Sequence, residues 1–471
     1  MRGAILLLAL LGGCSLESKY VQPTPAVPGT LPMADAVAAP LDRRAIFRDP
    51  RLLALIERSI VNNQNLRATL ANVEVARGQY RVQRAAQLPQ VDLGGGVTRR
   101  YGSSSTTTSG TGTGTSVGTG GATRTNYSVD LGVSAFELDL FGRLRSLSRA
   151  ALDEYLATEA GARAVRVTLV GDVAEAWFTY AADRTLLSIA DDTRRAATDS
   201  VRITRARLKG GVAPRTDLDQ ALTIEKTADT DFARQTAQVA QDRNALVLLV
   251  GGPVDDAELP ATLENALASV VPPPVGLSSD VLLRRPDVIA AEYRLRAANA
   301  RIGAARAAFF PRISLTGLLG FASTGLSSLF SSGAFNYSVG PSVSLPIFDG
   351  GANRGNLLVA RAGRDAAVAT YQNTIQTAFR EVADALARRA TLGDEERGAR
   401  DLVAATVDNA YLSNARYKGG IDTFLASLDA QRTLYTARRS LVTTELARAA
   451  NVAALYRALG GDDQLEHPPA R

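Results

Sequence analysis

Ala206-Arg207-Leu208-Lys209-Gly210-Gly211-Val212 returns later in the chain as Ala415-Arg416-Tyr417-Lys418-Gly419-Gly420-Ile421, every position displaced by 209. At the same displacement Asp172-Val173-Ala174-Glu175 meets Glu381-Val382-Ala383-Asp384, and Leu246 to Gly252 meets Leu455 to Gly461. Gln87-Leu88-Pro89-Gln90-Val91 and Phe309-Phe310-Pro311-Arg312-Ile313 form a further pair. Self-similarity of this kind means two halves of like structure. They cover residues 41–250 and 280–460, with a linker at 251–279 between them and a tail at 461–471.

Each half reads alike from start to end. A helix, Leu66 to Ala86 or Val288 to Ala308, stops before Pro89 or Pro311, because proline cannot continue a helix. Two alternating stretches follow, near 90–99 and 126–139 in the first half and near 312–322 and 335–347 in the second. Val91, Leu93 and Val97 share one face, as do Tyr127, Val129, Leu131, Val133 and Ala135. Apolar residues opposite small polar ones with period two are a strand signal.

A very long helical region comes next, 142–209 and 351–418. Val165, Leu169, Val173 and Trp177, then Tyr371, Ile375 and Phe379, recur at four-residue steps along one helical face. Unbroken, such a helix reaches roughly 100 Å, which outruns any globular core. Gly210-Gly211 and Gly419-Gly420 stop these helices and turn the chain, and shorter helices return over 215–250 and 424–459. Trp177 reads as a packing residue, and Asp172, Glu175, Glu381 and Asp384 read as repeated charges on helix surfaces.

The charge balance, 53 Lys+Arg against 47 Asp+Glu, contains no basic run and argues against nucleic-acid binding. The single cysteine, Cys14, excludes an internal disulfide and a thiolate metal cluster. It follows a basic start (Met1-Arg2), an apolar core (Ala4 to Leu11) and Gly12-Gly13, a layout of signal-peptide length too short to span a bilayer. Leu11-Gly12-Gly13-Cys14 resembles a bacterial lipobox. That implies removal of residues 1–13, lipidation of Cys14 and, with Ser15 after it, passage to the outer membrane. Residues 14–40, rich in proline, read as an extended tether.

No 18-residue apolar run follows the signal, so the chain cannot cross a membrane as a helix. The four alternating stretches have about the 9–11 residues that a tilted membrane strand needs. Four strands alone would leave edge N–H and C=O groups unsatisfied in lipid, so closure must come from other copies. Two copies give a barrel filled by its own side chains and three give the first open lumen, so the expectation is a twelve-stranded trimer. The Gly/Ser/Thr segment Gly102 to Thr125 reads as a loop at the extracellular mouth.

Leu282-Leu283-Arg284-Arg285-Pro286-Asp287-Val288, continued by Ala291-Glu292, Ala297-Ala298-Asn299-Ala300, Ile302-Gly303, Ala305 and Phe310-Pro311, resembles the TolC-like outer membrane factors. So does Phe136-Glu137-Leu138-Asp139-Leu140-Phe141-Gly142-Arg143-Leu144-Arg145. The resemblance is to the NodT-type lipoprotein subgroup, which serves resistance-nodulation-division pumps, and covers nearly the whole mature chain. It implies a homotrimer with a β-barrel, a periplasmic α-barrel of twelve helices, and an equatorial belt built from 41–63, 251–279 and the tail. It also implies a periplasmic adaptor, an inner-membrane pump and an iris-like gate at the periplasmic tip.

By the same resemblance the tip turns, Gly210, Gly211, Val212 and Pro214 with Gly419, Gly420 and Ile421, meet the adaptor. Thr216 and Asp217 then stand at the gate, where Asp217 is expected to hydrogen-bond Tyr417. Asp422 occupies a position where some members carry an arginine. Asp422 or Asp429, repeated around a threefold axis, could form an acidic ring that captures cations. Type I protein secretion and metal efflux are alternative cargoes, and a periplasmic helical scaffold without a pore is the alternative class. The sole histidine, His467, lies in the tail, and no catalytic motif occurs, so neither an enzyme nor any cofactor beyond the lipid at Cys14 is expected.

Overall fold

The computed structural model describes residues 16–29, 42–103, 121–272 and 279–461. The expected signal peptide, Cys14, much of the tether, the centre of the Gly/Ser/Thr segment, the end of the linker and the tail lie outside the described residues. In chain order the elements are α1 (Arg43–Ile46), α2 (Pro50–Asn62), α3 (Gln64–Ala85), β1 (Val91–Ser103), β2 (Gly121–Leu138), α4 (Arg143–Lys209) and α5 (Arg215–Val250). They continue as α6 (Leu263–Leu267), α7 (Pro286–Ala307), β3 (Arg312–Ser323), β4 (Phe335–Ser344), α8 (Ala352–Lys418) and α9 (Phe424–Ala458). The chain divides into two compact units.

One unit contains the sheet. Its strands run in the order β1-β2-β3-β4, every neighbouring pair antiparallel. The register sets Leu93 beside Leu131, Leu131 beside Leu319 and Leu319 beside Tyr337, one apolar row across all four strands. These four side chains are exposed. Gly94, Asp130, Gly320 and Asn336 form the adjacent row, on the opposite face because side chains alternate along a strand. The sheet thus has an apolar face suited to hydrocarbon and a polar face suited to water.

Three sequence expectations change here. Ala135 does not join the apolar row: the register slips between Val133 and Phe136, Ala135 takes φ 51, and Phe136 and Leu138 pair with Leu315 and Ile313 instead. A bulge adds one residue to one strand and so restores the face for the residues beyond it. β4 ends at Ser344 rather than 347, before Pro346, which has no N–H to give the ladder. β1 and β2 in turn run on to Ser103 and back to Gly121, taking the ends of the Gly/Ser/Thr segment into the ladder. In the same unit α4 and α7 meet through Ala150, Ala297 and Ala300, small enough for close helix approach.

The other unit holds the main apolar core, where Phe47, Leu52, Leu55, Ile56 and Leu66 pack with Val173, Trp177, Phe178, Leu246, Leu263 and Tyr456. Phe47 sits 5.8 Å from the Tyr456 ring and 6.4 Å from that of Phe178, and pairs with Val270 in an isolated bridge. Trp177 is fully buried and donates its indole N–H to the Glu258 carbonyl at 3.3 Å, so it is a packing residue. Asn63 ties this core together. Its amide donates to the Leu249 carbonyl at 2.8 Å, and its oxygen accepts from the Leu66 N–H at 2.9 Å.

The polarity of the sheet faces is open to test. Leu131→Arg places a charge on the apolar row and is expected to cost about 2–4 kcal/mol in the membrane, reducing recovery from outer-membrane fractions. Asn336→Arg, on the polar face, should be recovered like the unsubstituted protein. Equal loss for both would overturn the assignment of faces.

Candidate gate at the helical tips

Both Gly-Gly turns close in the same way. Gly211 and Gly420 share φ 73, in the left-handed region that glycine enters without strain. The N–H of Val212 reaches back to the Arg207 carbonyl at 3.0 Å, and that of Ile421 to the Arg416 carbonyl at 2.9 Å. This six-to-one bond satisfies carbonyls that a helix end otherwise leaves open. Val212 (67%), Ile421 (70%) and Leu425 (62%) are left exposed, an apolar surface at the two turns.

Beyond the turns the hairpins differ. Thr423 caps α9, accepting from the Ala426 N–H at 3.3 Å, whereas Pro214 precedes α5 without a side-chain cap. Asp217 lies in the first turn of α5, where a carboxylate complements the helix dipole. Thr216 beside it is exposed.

The expected Asp217 to Tyr417 hydrogen bond does not form. Tyr417 is buried in a small cluster with Val201, Ala221, Phe424 and Leu428, its ring 5.1 Å from that of Phe424. Its hydroxyl has no hydrogen-bond partner among the described residues. Arg207 supplies the polar contact from the first hairpin: its guanidinium stands 4.7 Å from the Tyr417 ring centroid and donates to the Tyr417 carbonyl at 3.1 Å. A cation over an aromatic face is attracted by the ring quadrupole. Arg207 belongs to the repeated motif that identified the turns, which was the one signal available for finding it.

Asp422 is not a bare acid. Its carboxylate accepts from Arg416 Nε at 3.0 Å and from the Thr423 N–H at 3.2 Å. Arg416 is the repeat counterpart of Arg207, so one position in each half serves a different partner. Asp429 is exposed on α9 and lines a cavity of about 600 Å³ with Asp192, Asp231, Leu425, Leu428 and Tyr435. Tyr435 donates its hydroxyl to Asp231 at 3.1 Å.

The repeated acids on the long helices are more than surface charges. Arg457 of α9 donates to Asp172 at 2.6 Å and to Glu175 at 2.7 Å, linking the two halves. It lies against α4 where Gly171 has no side chain; a Cβ there would come within 2.5 Å of Arg457 carbons. In the second half buried Arg285 binds Asp287, Glu381 at 2.8 Å and the Ala458 carbonyl at 2.7 Å.

Cys14 lies outside the described residues, but the segment just after it is docked. Arg306 donates to the Leu16 carbonyl at 3.2 Å and to Ser18 Oγ at 2.9 Å, Asn299 donates to the Ser18 carbonyl, and Arg149 binds Glu17 at 2.7 Å. Beside them burial pushes Asp153 up to about 6, with Arg296 and Arg149 opposing and Glu17 and Glu154 adding to the shift.

A sheet with one face for lipid and one for water, together with paired long helices that end in matching turns, defines the protomer of an outer-membrane channel. The profile of the outer membrane efflux protein family matches residues 55–252 and 277–461. The chain is 40% identical over 467 residues to the solvent efflux pump outer membrane protein SrpC of Pseudomonas putida, covering 96% of each. Its fold matches a membrane protein of Pseudomonas aeruginosa with TM-score 0.87 at 38% identity, over 95% of this chain and 100% of that one. It matches the open state of the MtrE outer membrane channel of Neisseria gonorrhoeae with TM-score 0.83 at 34% identity, over 95% and 98%. The chain belongs to the outer membrane efflux protein family, and its place is the outer membrane.

If Arg207 rather than Asp217 holds Tyr417, then Tyr417→Phe should leave the protection of the turn amides in hydrogen exchange unchanged. Arg207→Ala should lower their opening free energy by about 0.5–1 kcal/mol. Loss of protection in Tyr417→Phe would reinstate a hydroxyl-mediated contact.

Proposed function

We propose that three copies of this chain form the exit duct of a tripartite efflux pump, with a twelve-stranded barrel in the outer membrane and a helical tunnel in the periplasm. The observation that carries this reading is the pair of open sheet edges. Among the described residues β1 and β4 each pair with one neighbour only, and backbone groups left open in hydrocarbon cost several kcal/mol each. Three four-stranded sheets give a lumen, whereas two fill with side chains.

The duct itself is passive and carries no catalytic centre or cofactor beyond a lipid on Cys14. The docked residues 16–18 support an anchor held close to the protein. Energy for transport comes from an inner-membrane pump of the resistance-nodulation-division class, bridged by a periplasmic adaptor. Val212, Ile421 and Leu425 offer apolar contacts to that adaptor at the turns, and the Arg207–Tyr417 contact holds the first hairpin to the second when the tip is closed. The cargo is small organic molecules, solvents or antibiotics, a reading supported by the solvent efflux pump to which SrpC belongs and the antibiotic efflux pump of ArpC.

Purified protein should migrate as a heat-sensitive trimer on gels and conduct ions poorly in planar bilayers. Arg207→Ala should raise that conductance. A monomer recovered from the soluble periplasm would refute the channel, and unchanged conductance would refute the gate contact alone.

A further inference from the structure

Asp242, on the face of α5 turned to α4, is only 8% exposed, and its Oδ2 is buried without a hydrogen-bond partner among the described residues. Its other oxygen accepts from Gln238 Nε2 at 3.0 Å. Across from it on α4, Asp183 accepts from Gln235 Nε2 at 2.8 Å; Gln235 and Gln238 stand one turn apart on α5, so the two acids share one stretch of the α4–α5 seam, where Asp183 acts on Asp242 as a neighbour. Two carboxylates have no proton to offer one another, so the contact is repulsive unless one of them is protonated. Asp242 also lines a cavity of about 390 Å³ with Asp172, Glu175, Ala176, Thr179 and Ala245.

The second half supplies an internal comparison. The counterparts of Asp183 and Asp242 at the 209-residue displacement are Leu392 and Asn451. Asn451 is buried and donates its amide N–H to the Ala385 carbonyl at 3.0 Å. Ala385 is in turn the counterpart of Ala176, on the wall of the same cavity as Asp242. A protonated aspartic acid has the shape of asparagine and, like it, one edge that donates. Asn451 thus carries a donor at the position where an ionised Asp242 carries none.

We propose that Asp183 and Asp242 are a proton-sharing carboxyl pair that clasps α5 to α4, so that this hairpin is held more firmly in an acidic periplasm than in an alkaline one. The surroundings agree. Burial first, then Asp183, push Asp242 up to about 7, and Gln238 only partly opposes them. Asp172 and Glu175 on α4 are occupied by Arg457 of α9. Arg243 on α5 is engaged by Asp256 at 3.1 Å. Tyr180 of α4 is itself pushed up by burial, with Arg184, Asp256, Arg243 and Asp242 acting on it in turn. Among the described residues none of these arginines forms an ion pair with Asp183 or Asp242.

An acid raised in the folded state binds its proton more tightly folded than unfolded. Its stabilisation is complete below the ordinary carboxylate range, declines as pH rises toward about 7 and is gone above it.

The test is native-state hydrogen exchange on the full-length protein at about pH 5.5 and about pH 8, corrected for the intrinsic pH dependence of exchange. Amides of 176–184 and 238–246 should lose protection by about tenfold or more at the higher pH, while those of 385–393 and 447–455 in the second half should not. In thermal dissociation, Asp242→Asn should raise the midpoint at pH 8 and leave it unchanged near pH 4.5, and Asp183→Asn should do the same. A midpoint change equal at both pH values, or equal loss of protection in both halves, would overturn the proposal. If neither variant folds, the exchange comparison on the unsubstituted chain decides it.

Discussion

A β-sheet in hydrocarbon must have no open edge, and much of this protein follows from that condition. Four strands are too few to close on themselves, so each copy offers β1 and β4 to others, and the assembly is decided by backbone hydrogen bonding before any side chain is considered. The alternation of faces then sorts residues for free, with leucines and tyrosine to lipid and glycine, aspartate and asparagine to water.

The helical unit meets a different demand, that of holding very long helices in register. It does so with few large side chains. Trp177, Phe178, Phe47 and Tyr456 form one aromatic core, and arginines such as Arg457 and Arg285 fasten separate helices through carboxylates. An arginine with a bidentate or divided set of partners holds geometry better than a single surface pair, because its planar fork specifies orientation. At the turns the same residue type serves again, with Arg207 laid over Tyr417 and Arg416 bonded to Asp422.

Much of this was legible in the residues themselves. The glycine pairs marked the ends of α4 and α8 because only glycine enters the left-handed region freely, and the duplication carried the bounds of the long helices from one half to the other. The strands were legible as alternation, but the bulge at Ala135 was not, since one inserted residue shifts parity without changing composition. The partner of Tyr417 was missed for a related reason. Arg207 and Asp217 both stand near the turn, and only the direction in which the Tyr417 ring points decides between them. Arg457 lies 282 residues from Glu175, and no local pattern announces a contact that distant.

Gly171 and Arg457 show what the duplication has since become. The counterpart of Gly171 in the second half is Arg380 and that of Arg457 in the first is Leu248, so neither half could stand in for the other at this seam. At this seam the two halves are complementary, one hollowed and one filled. A change at either position is therefore constrained by the other. The site reads as a record of two copies of one gene becoming parts of one machine that can be inherited only together.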